Sequence, residues 1–216
     1  MGDFETTVYQ GQLNTEVWAS AVVELNTEDV KVFHSIGDTF EYLKSLDSDI
    51  VIYYHNLKFD GSFWLSYLMV DLCYEQAAHL PEMDESTDDF QWINQKEMRN
   101  KTFTYSISDM GQWYRIIIKV NDRMIEIRDS LKLLPFSVER IGQSFRTKHK
   151  KLDMEYSGFR YAGCEITDEE QEYIKNDVLV VKEALEIMRE EGHSKLTIGS
   201  CCLAEYRVLL GKPLYY

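Results

Sequence analysis

Residues 16–25, EVWASAVVEL, form an apolar run rich in valine and predict a strand, with Phe33 to Ile36 as its partner. Asp38, followed three residues later by Glu41, has the spacing of a capping box and predicts a short helix through Leu46. DIVIYY (49–54) is apolar enough for a buried strand, and after the turn HNLKFDG a helix is expected over Ser62 to Leu72. Residues 102–108, 112–120 and 124–129 predict three strands that could form a meander. The stretch 130–146 mixes helical spacing with a proline break, and 147–160 is basic and irregular. Thr167 and Glu170 form a second capping box. It opens a long helix whose apolar stripe (Tyr173, Ile174, Val178, Val181, Leu185, Met188) runs to Gly192. The tail 196–216 holds a further short helix. Strands with interspersed helices give the fold class: α/β, a sheet domain.

Composition narrows the class. The 216 residues are 44% hydrophobic and 28% charged, with 3 Pro and 11 Gly, which fits one globular domain and excludes collagen-like and low-complexity chains. No apolar run approaches the roughly 18 residues a membrane span needs, and the start lacks the pattern of a secretory signal. A formal charge of -14 argues against a protein whose task is a broad static grip on duplex DNA. It leaves room for an enzyme that gathers carboxylates around cations. The four cysteines (Cys73, Cys164, Cys201, Cys202) show no zinc spacing and are read as small apolar residues of a reducing compartment. The segment 81–90, PEMDESTDDF, is read as an acidic surface loop.

Three acidic constellations carry candidate chemistry. On a strand, Asp3 and Glu5 point to one face, an arrangement that is costly unless a cation lies between them. Asn56 and Asp60 follow the 49–54 strand at its C-terminal edge, where ligands bind in open α/β sheets. Asp60 either faces a ligand or caps the next helix. His55 beside them is read as a structural hydrogen-bonding residue, because no second histidine lies at metal spacing. Tyr173 and Asp177 are four apart and share a helix face near the buried stripe. Asp177 there needs a partner, such as a lysine.

The order Asp-x-Glu, Asn-x-x-Phe-Asp, Tyr-x-x-x-Asp resembles the three motifs of the DEDD 3′-to-5′ exonucleases, tyrosine subclass. DFETT, YYHNLKFDGSF, MGQWY, DSLKLLPFSVERIG, KLDMEY, ITDEEQEYIKNDV and the late TIGS narrow the resemblance to the exonuclease domain of protein-primed family B DNA polymerases of small bacteriophages. The resemblance implies a ribonuclease H-like exonuclease fold, with a mixed central sheet flanked by helices, over residues 1–200. Residues 201–216 would then lead toward a polymerase domain, whose Asp-x-x-Ser-Leu-Tyr-Pro and Tyr-x-Asp-Thr-Asp-Ser signatures are absent here. It implies that Asp3, Glu5, Asp60 and Asp177 bind two Mg²⁺ or Mn²⁺ ions, Asp3 bridging both, Glu5 and Asp177 on the ion that carries the attacking water, and Asp60 on the other. Tyr173 would orient that water, and Lys151 would stabilise charge near the scissile phosphate. Thr6, Tyr53, His55, Asn56, Phe59, Ser130, Leu131 and Tyr156 would hold single-stranded DNA at its 3′ end. The implied activity is proofreading hydrolysis to nucleoside 5′-monophosphates. Terminal protein and the parent polymerase domain are the implied partners, and the cytoplasm of a bacterial host the implied location.

The sequence reading sets two alternatives beside this. Only Met1-Gly2 precedes Asp3, where the resembled family has an apolar lead-in strand. Fraying of Asp3 is therefore expected, and with it a catalytically weakened DNA- or protein-binding module. A ribonuclease of the same fold is the other. Arg146, Lys148, Lys150 and Lys151 are read as a local positive patch where a strand could enter.

Overall fold

The computed structural model describes residues 1–7, 9, 11–79, 91–155 and 158–211. The acidic segment at 81–90, Tyr156 and the last residues of the tail lie outside them.

Strands β1 (Gly2–Thr6), β2 (Val17–Val23) and β3 (Val30–Phe33) form an antiparallel sheet in that order. A second, five-stranded sheet runs β4 (Ile50–Tyr54), β10 (Arg123–Asp129), β9 (Trp113–Val120), β8 (Thr102–Ile107) and β5 (Glu75–Gln76). It is mixed: β4 lies parallel to β10 and β5 parallel to β8, while β8, β9 and β10 form the expected antiparallel meander. Asn121 and Asp122 both take positive φ, the geometry a tight β9–β10 hairpin requires. A short ribbon pairs β6 (Ala78–His79) with β7 (Gln91–Trp92).

Helices α1 (Ile36–Ser45), α2 (Leu57–Ser66), α3 (Val138–Ser144), α4 (Asp168–Glu190) and α5 (Ile198–Leu210) complete the described structure. All seven residues of β2 are buried. Trp18, Ala21 and Val23 pack with Val178, Val181 and Leu185 of α4, whereas Val17 and Val22 join Phe40 and Leu43 of α1 and Trp64 of α2. Covering both faces explains why β2 reads as a continuous apolar run rather than an alternating one. None of the described helices is long and apolar enough to cross a membrane.

Several local expectations are corrected. The cap of α1 is Ser35, whose hydroxyl accepts from the Asp38 N–H at 3.1 Å, so Asp38 sits in the first turn. The partner strand consequently ends at Phe33. Helix α2 begins at Leu57, not Ser62, and after Ser66 it widens into a π-helical turn, Tyr67–Asp71. Asp60 is therefore in the first turn of α2 and does not cap it. Fraying of the first strand is also not observed. Asp3 pairs with Ala21, and Met1 adds a further rung: its nitrogen donates to the Val23 carbonyl at 2.7 Å, and the Val23 N–H donates back at 2.9 Å. The strand holds because β2 runs past the start of β1 and offers it a partner at every position.

Candidate metal centre and strand-binding surface

β1 carries Asp3 and Glu5, and α4 carries Asp177. Carboxylate oxygens of all three lie within 4.8 Å of one another. The long helix is set by its local sequence, the Thr167–Glu170 capping box being fully formed, and its core stripe turns Asp177 inward to 7% exposure. Asp60 is 2% exposed beneath the cluster. It is close enough to repel Asp3, though outside the set of three.

Burial, reinforced by like charges around Asp3 and Asp60, makes these carboxyls hard to ionise. Burial, then Asp60, Glu5 and Asp177, push Asp3 well above the usual carboxylate range. Burial, with Glu5 and Asp129 adding to it, pushes Asp60 up to about 8 against the pull of backbone N–H groups. Burial also raises Asp177, although Lys151 draws it down. Lys151 donates to Asp177 Oδ2, and to the Tyr173 hydroxyl at 2.9 Å. Burial opposes its charge, but those two acceptors hold its pKa above the ordinary lysine value. Two carboxylate oxygens, Asp60 Oδ1 and Asp177 Oδ1, are buried with no hydrogen-bond partner in the described structure. Four acids facing one ammonium, with orphaned oxygen acceptors, form a donor set suited to hard divalent cations. They also place carboxylates where burial without a partner is otherwise costly.

The residues expected to hold a strand separate into groups. Asn56 stands at the head of α2 in the left-handed region, φ 68, with its side chain exposed. Phe59, 47% exposed, rises from the first turn with its ring edge against Phe63 at 5.3 Å. Thr6 ends β1, one residue beyond Glu5, and Leu131 is half-buried. Ser130 is fully buried, its hydroxyl bonded to His55 Nδ1 (3.0 Å) and the Tyr54 carbonyl (3.1 Å). His55 Nε2 bonds to the Phe136 carbonyl at 2.8 Å, and burial lowers the pKa of the ring. These are hydrogen bonds within the fold, the first of the two roles expected of His55. Tyr53 is not brought to this surface, being 6% exposed and packed in the core beneath α4, with its hydroxyl accepting from Arg128 at 3.4 Å.

Residues of the expected positive patch are exposed and also find partners within the fold. Lys148 pairs with Glu28 at 2.6 Å, and Lys150 donates to the Gly142 and Thr147 carbonyls. Sequence reasoning missed Asp129. Its Oδ1 accepts the N–H groups of Asn56, Leu57 and Leu131 at 3.0–3.2 Å, tying the start of α2 to the end of β10. Nothing local signals a carboxylate that acts 72 residues away. Phe63 was also missed, though its i, i+4 spacing from Phe59 was visible.

Residues 44–163 match the family described as DNA polymerase type B, organellar and viral. The DNA polymerases of Bacillus phages Nf and phi29 are 36% and 32% identical to this chain, each over 96% of it. The DNA polymerase of Streptococcus phage Cp-1 is 29% identical over 98%. The chain spans about a third of the length of these curated relatives (33–34%). Among solved structures, phi29 DNA polymerase complexed with primer-template DNA superposes with a TM-score of 0.78 at 30% identity. The match covers 97% of this chain and 34% of that one. Phi29 DNA polymerase complexed with single-stranded DNA gives 0.78 at 29% identity. The mixed sheet flanked by helices is thus the ribonuclease H-like arrangement expected from the sequence, and the chain belongs to the type B DNA polymerases of the organellar and viral family.

Proposed function

We propose that residues 1–200 are a metal-dependent 3′-to-5′ exonuclease domain acting on single-stranded DNA ends, the proofreading unit of a protein-primed polymerase. The observation that carries this reading is the convergence of Asp3, Glu5 and Asp177 above the buried Asp60. Two of these carboxylates keep an oxygen with no protein partner.

Asp3, Glu5 and Asp177 would hold one Mg²⁺ or Mn²⁺, and Asp3 with Asp60 a second; oxygen-only donors favour these ions over zinc. Bound there, the pair supplies an acidified water and a home for charge on the departing 3′ oxygen. The protein's own groups do the rest. Tyr173, held by Lys151, is a poor base but a good hydrogen-bond partner, and it orients the nucleophile. Burial raises its pKa further, which keeps the phenol protonated. Lys151 keeps its ammonium and faces the negative charge that builds on the phosphate. Phe59, braced by Phe63, offers a face to unpaired bases without reading their sequence. Asn56 and Thr6 offer polar groups near the terminal nucleotide.

Support for a single-stranded substrate comes from the phage DNA polymerases that this chain is similar to, one of them complexed with single-stranded DNA. Terminal protein and a polymerase domain are the further partners this reading carries. The binding-module alternative rested on a frayed first strand, and β1 is paired from Met1 onward. The test is degradation of a 5′-labelled single-stranded oligonucleotide with Mg²⁺ or Mn²⁺, beside an RNA of the same sequence. A DNA ladder shortening from the 3′ end, abolished by EDTA and by Asp177→Ala, is expected. A folded protein that yields no ladder at any metal concentration would overturn the reading, and a ladder on RNA alone would transfer it to a ribonuclease.

A further inference from the structure

One face of the five-stranded sheet packs against α2 through Phe103, Ile116, Ile118, Ile125 and Ile127. Strand alternation puts the residues between them on the opposite face. There Tyr53, Arg128, Arg115 and Ser106 stand in one row across β4, β10, β9 and β8, and Val51, Glu126, Ile117 and Thr104 form the next row. Two arginines directly opposite each other repel. Glu126 bridges them, 3.1 Å from Arg115 and 2.8 Å from Arg128, and so offsets one of the two charges. The Nε–H groups of both arginines are buried without an acceptor. This part of the sheet is therefore short of anions, in a chain whose net charge is -14. A groove of about 480 Å³ lies over its β8–β9 side, with Ile93 and Gln95 as one wall. Arg115 is the one charged residue among those that line it, and none of the clustered carboxylates does.

We propose that this groove binds a phosphate ester, its phosphate on the Arg115 guanidinium and its organic part between Ile93 and Ile117. A guanidinium is the side chain best matched to a phosphate, because its planar fork presents several N–H donors at once. Arg115 keeps 31% of its side chain exposed. Its Nη1 donates to Glu126, and its Nη2 makes no described bond. The Ser106 hydroxyl lies on the neighbouring strand opposite Arg115, and that of Thr104 is next to it on the same face. Neither hydroxyl has a described hydrogen bond, and each can donate to a phosphate oxygen. The groove's volume falls in the range of small-ligand sites, about 300–1,000 Å³. Inorganic phosphate alone would leave most of it unfilled, so the ester carries a larger group that the two isoleucines can flank. A free mononucleotide and the backbone of a nucleic-acid strand share this chemistry.

The test titrates the full chain, in EDTA so that the carboxylate cluster holds no metal, with dTMP, thymidine, inorganic phosphate and a 5′-hydroxyl (dT)₈. Backbone amide NMR shifts of residues 104–108 and 114–117 are the readout. Saturable shifts there are expected with dTMP, weaker ones with phosphate and none with thymidine. Shifts with dTMP but not (dT)₈ assign the site to a free nucleotide; shifts with both assign it to a strand's backbone. Arg115→Gln should weaken dTMP about tenfold or more, the effect of losing a hydrogen bond to a charged group. Glu126 keeps its bond to Arg128 in that variant. Thr104→Val with Ser106→Ala should also weaken dTMP, and it takes no described hydrogen bond from the fold. Thermal unfolding verifies that both variants are folded. Equal affinity for thymidine and dTMP, unchanged affinity in Arg115→Gln, shifts confined to the head of α2, or no saturation at millimolar dTMP would each overturn the proposal.

Discussion

Lys151 satisfies only half of Asp177: its ammonium donates to Oδ2, while Oδ1 of the same carboxylate is buried without a partner. The lysine comes from the segment after α3 and the aspartate from the middle of α4, so their meeting closes one side of the carboxylate cluster. Tyr173, one turn before Asp177, accepts from the same ammonium. A single cation thus contacts both the carboxylate proposed to hold metal and the phenol proposed to orient water.

Lys151→Ala removes that cation and takes its hydrogen bond from the buried Asp177 carboxylate. Unfolding free energy without metal is expected to fall by about 1–3 kcal/mol, the usual result of stranding a buried acceptor. Millimolar Mg²⁺ should recover part of the loss. The rate of 3′-end hydrolysis is expected to fall by about 10²-fold or more even at saturating DNA, because the group acts on developing charge. Urea titrations with and without Mg²⁺, beside single-turnover kinetics, separate the two effects. An unchanged single-turnover rate would remove Lys151 from the mechanism.

Asp129→Ala tests a support that touches no substrate in the proposed scheme. Its Oδ1 holds the N–H groups of Asn56, Leu57 and Leu131, and removing it leaves three donors at the head of α2. A stability loss of about 2–4 kcal/mol is expected, several hydrogen bonds to a charged acceptor being lost together. Asn56 would also lose its left-handed set. Asp129→Asn keeps one acceptor oxygen and should restore most of the stability. Thermal unfolding of the two variants, with the DNA KM measured beside kcat, gives the answer: a positioning residue moves KM and Tm together.

These residues also mark what the chain could disclose in advance. The Thr167–Glu170 cap and the Tyr173–Asp177 pair were legible because helix chemistry is local and repeats every three or four residues. The buried β2 was legible because full burial leaves a continuous apolar run. Asp38 misled, since Ser35 three residues earlier is the better cap and is the one used. The start of α2 was hidden for a different reason: its N–H groups are met by a carboxylate on β10. The chain did not disclose that Lys148 of the basic patch pairs with Glu28, 120 residues away. The expected fraying of Asp3 failed because the rung from Met1 to Val23 depends on where β2 ends. Contacts of that range leave no periodic trace in a sequence.

Gly2→Ala should disturb the candidate metal site from behind. A Cβ at Gly2 would stand 2.8 Å from Tyr54 Cζ and 3.0 Å from Ile52 Cδ1, both in the core under β1. Overpacking of this kind costs about 1–3 kcal/mol. Here it would push outward the residue next to Asp3. Weaker Mn²⁺ binding by calorimetry and a lowered Tm are expected. Tyr54→Leu in the Gly2→Ala background opens room and should recover metal affinity. If Gly2→Ala binds Mn²⁺ as tightly as the parent, β1 is not held against Tyr54.

Asp60 provides the pH signature. In the folded chain its carboxyl is pushed up to about 8, chiefly by burial, whereas an unfolded aspartate ionises near 3.9. Between those values the folded protein keeps a proton that the unfolded chain has released. The stabilising contribution is therefore whole below about pH 4 and drains away as pH rises toward 8. Metal-free protein should thus lose urea resistance from pH 6 to pH 8, and Asp60→Asn, which carries no ionisable proton, should show a flatter profile. Divalent metal is expected to reverse the trend, because the proposed ions would bind the deprotonated carboxylates of the folded chain alone. Mg²⁺ should raise the unfolding midpoint more at pH 8 than at pH 6 in the parent, with the pH 8 gain reduced in Asp60→Asn. Identical pH profiles for parent and variant in EDTA would show that Asp60 is ionised throughout, and its buried Oδ1 would then need a cation even in metal-free buffer.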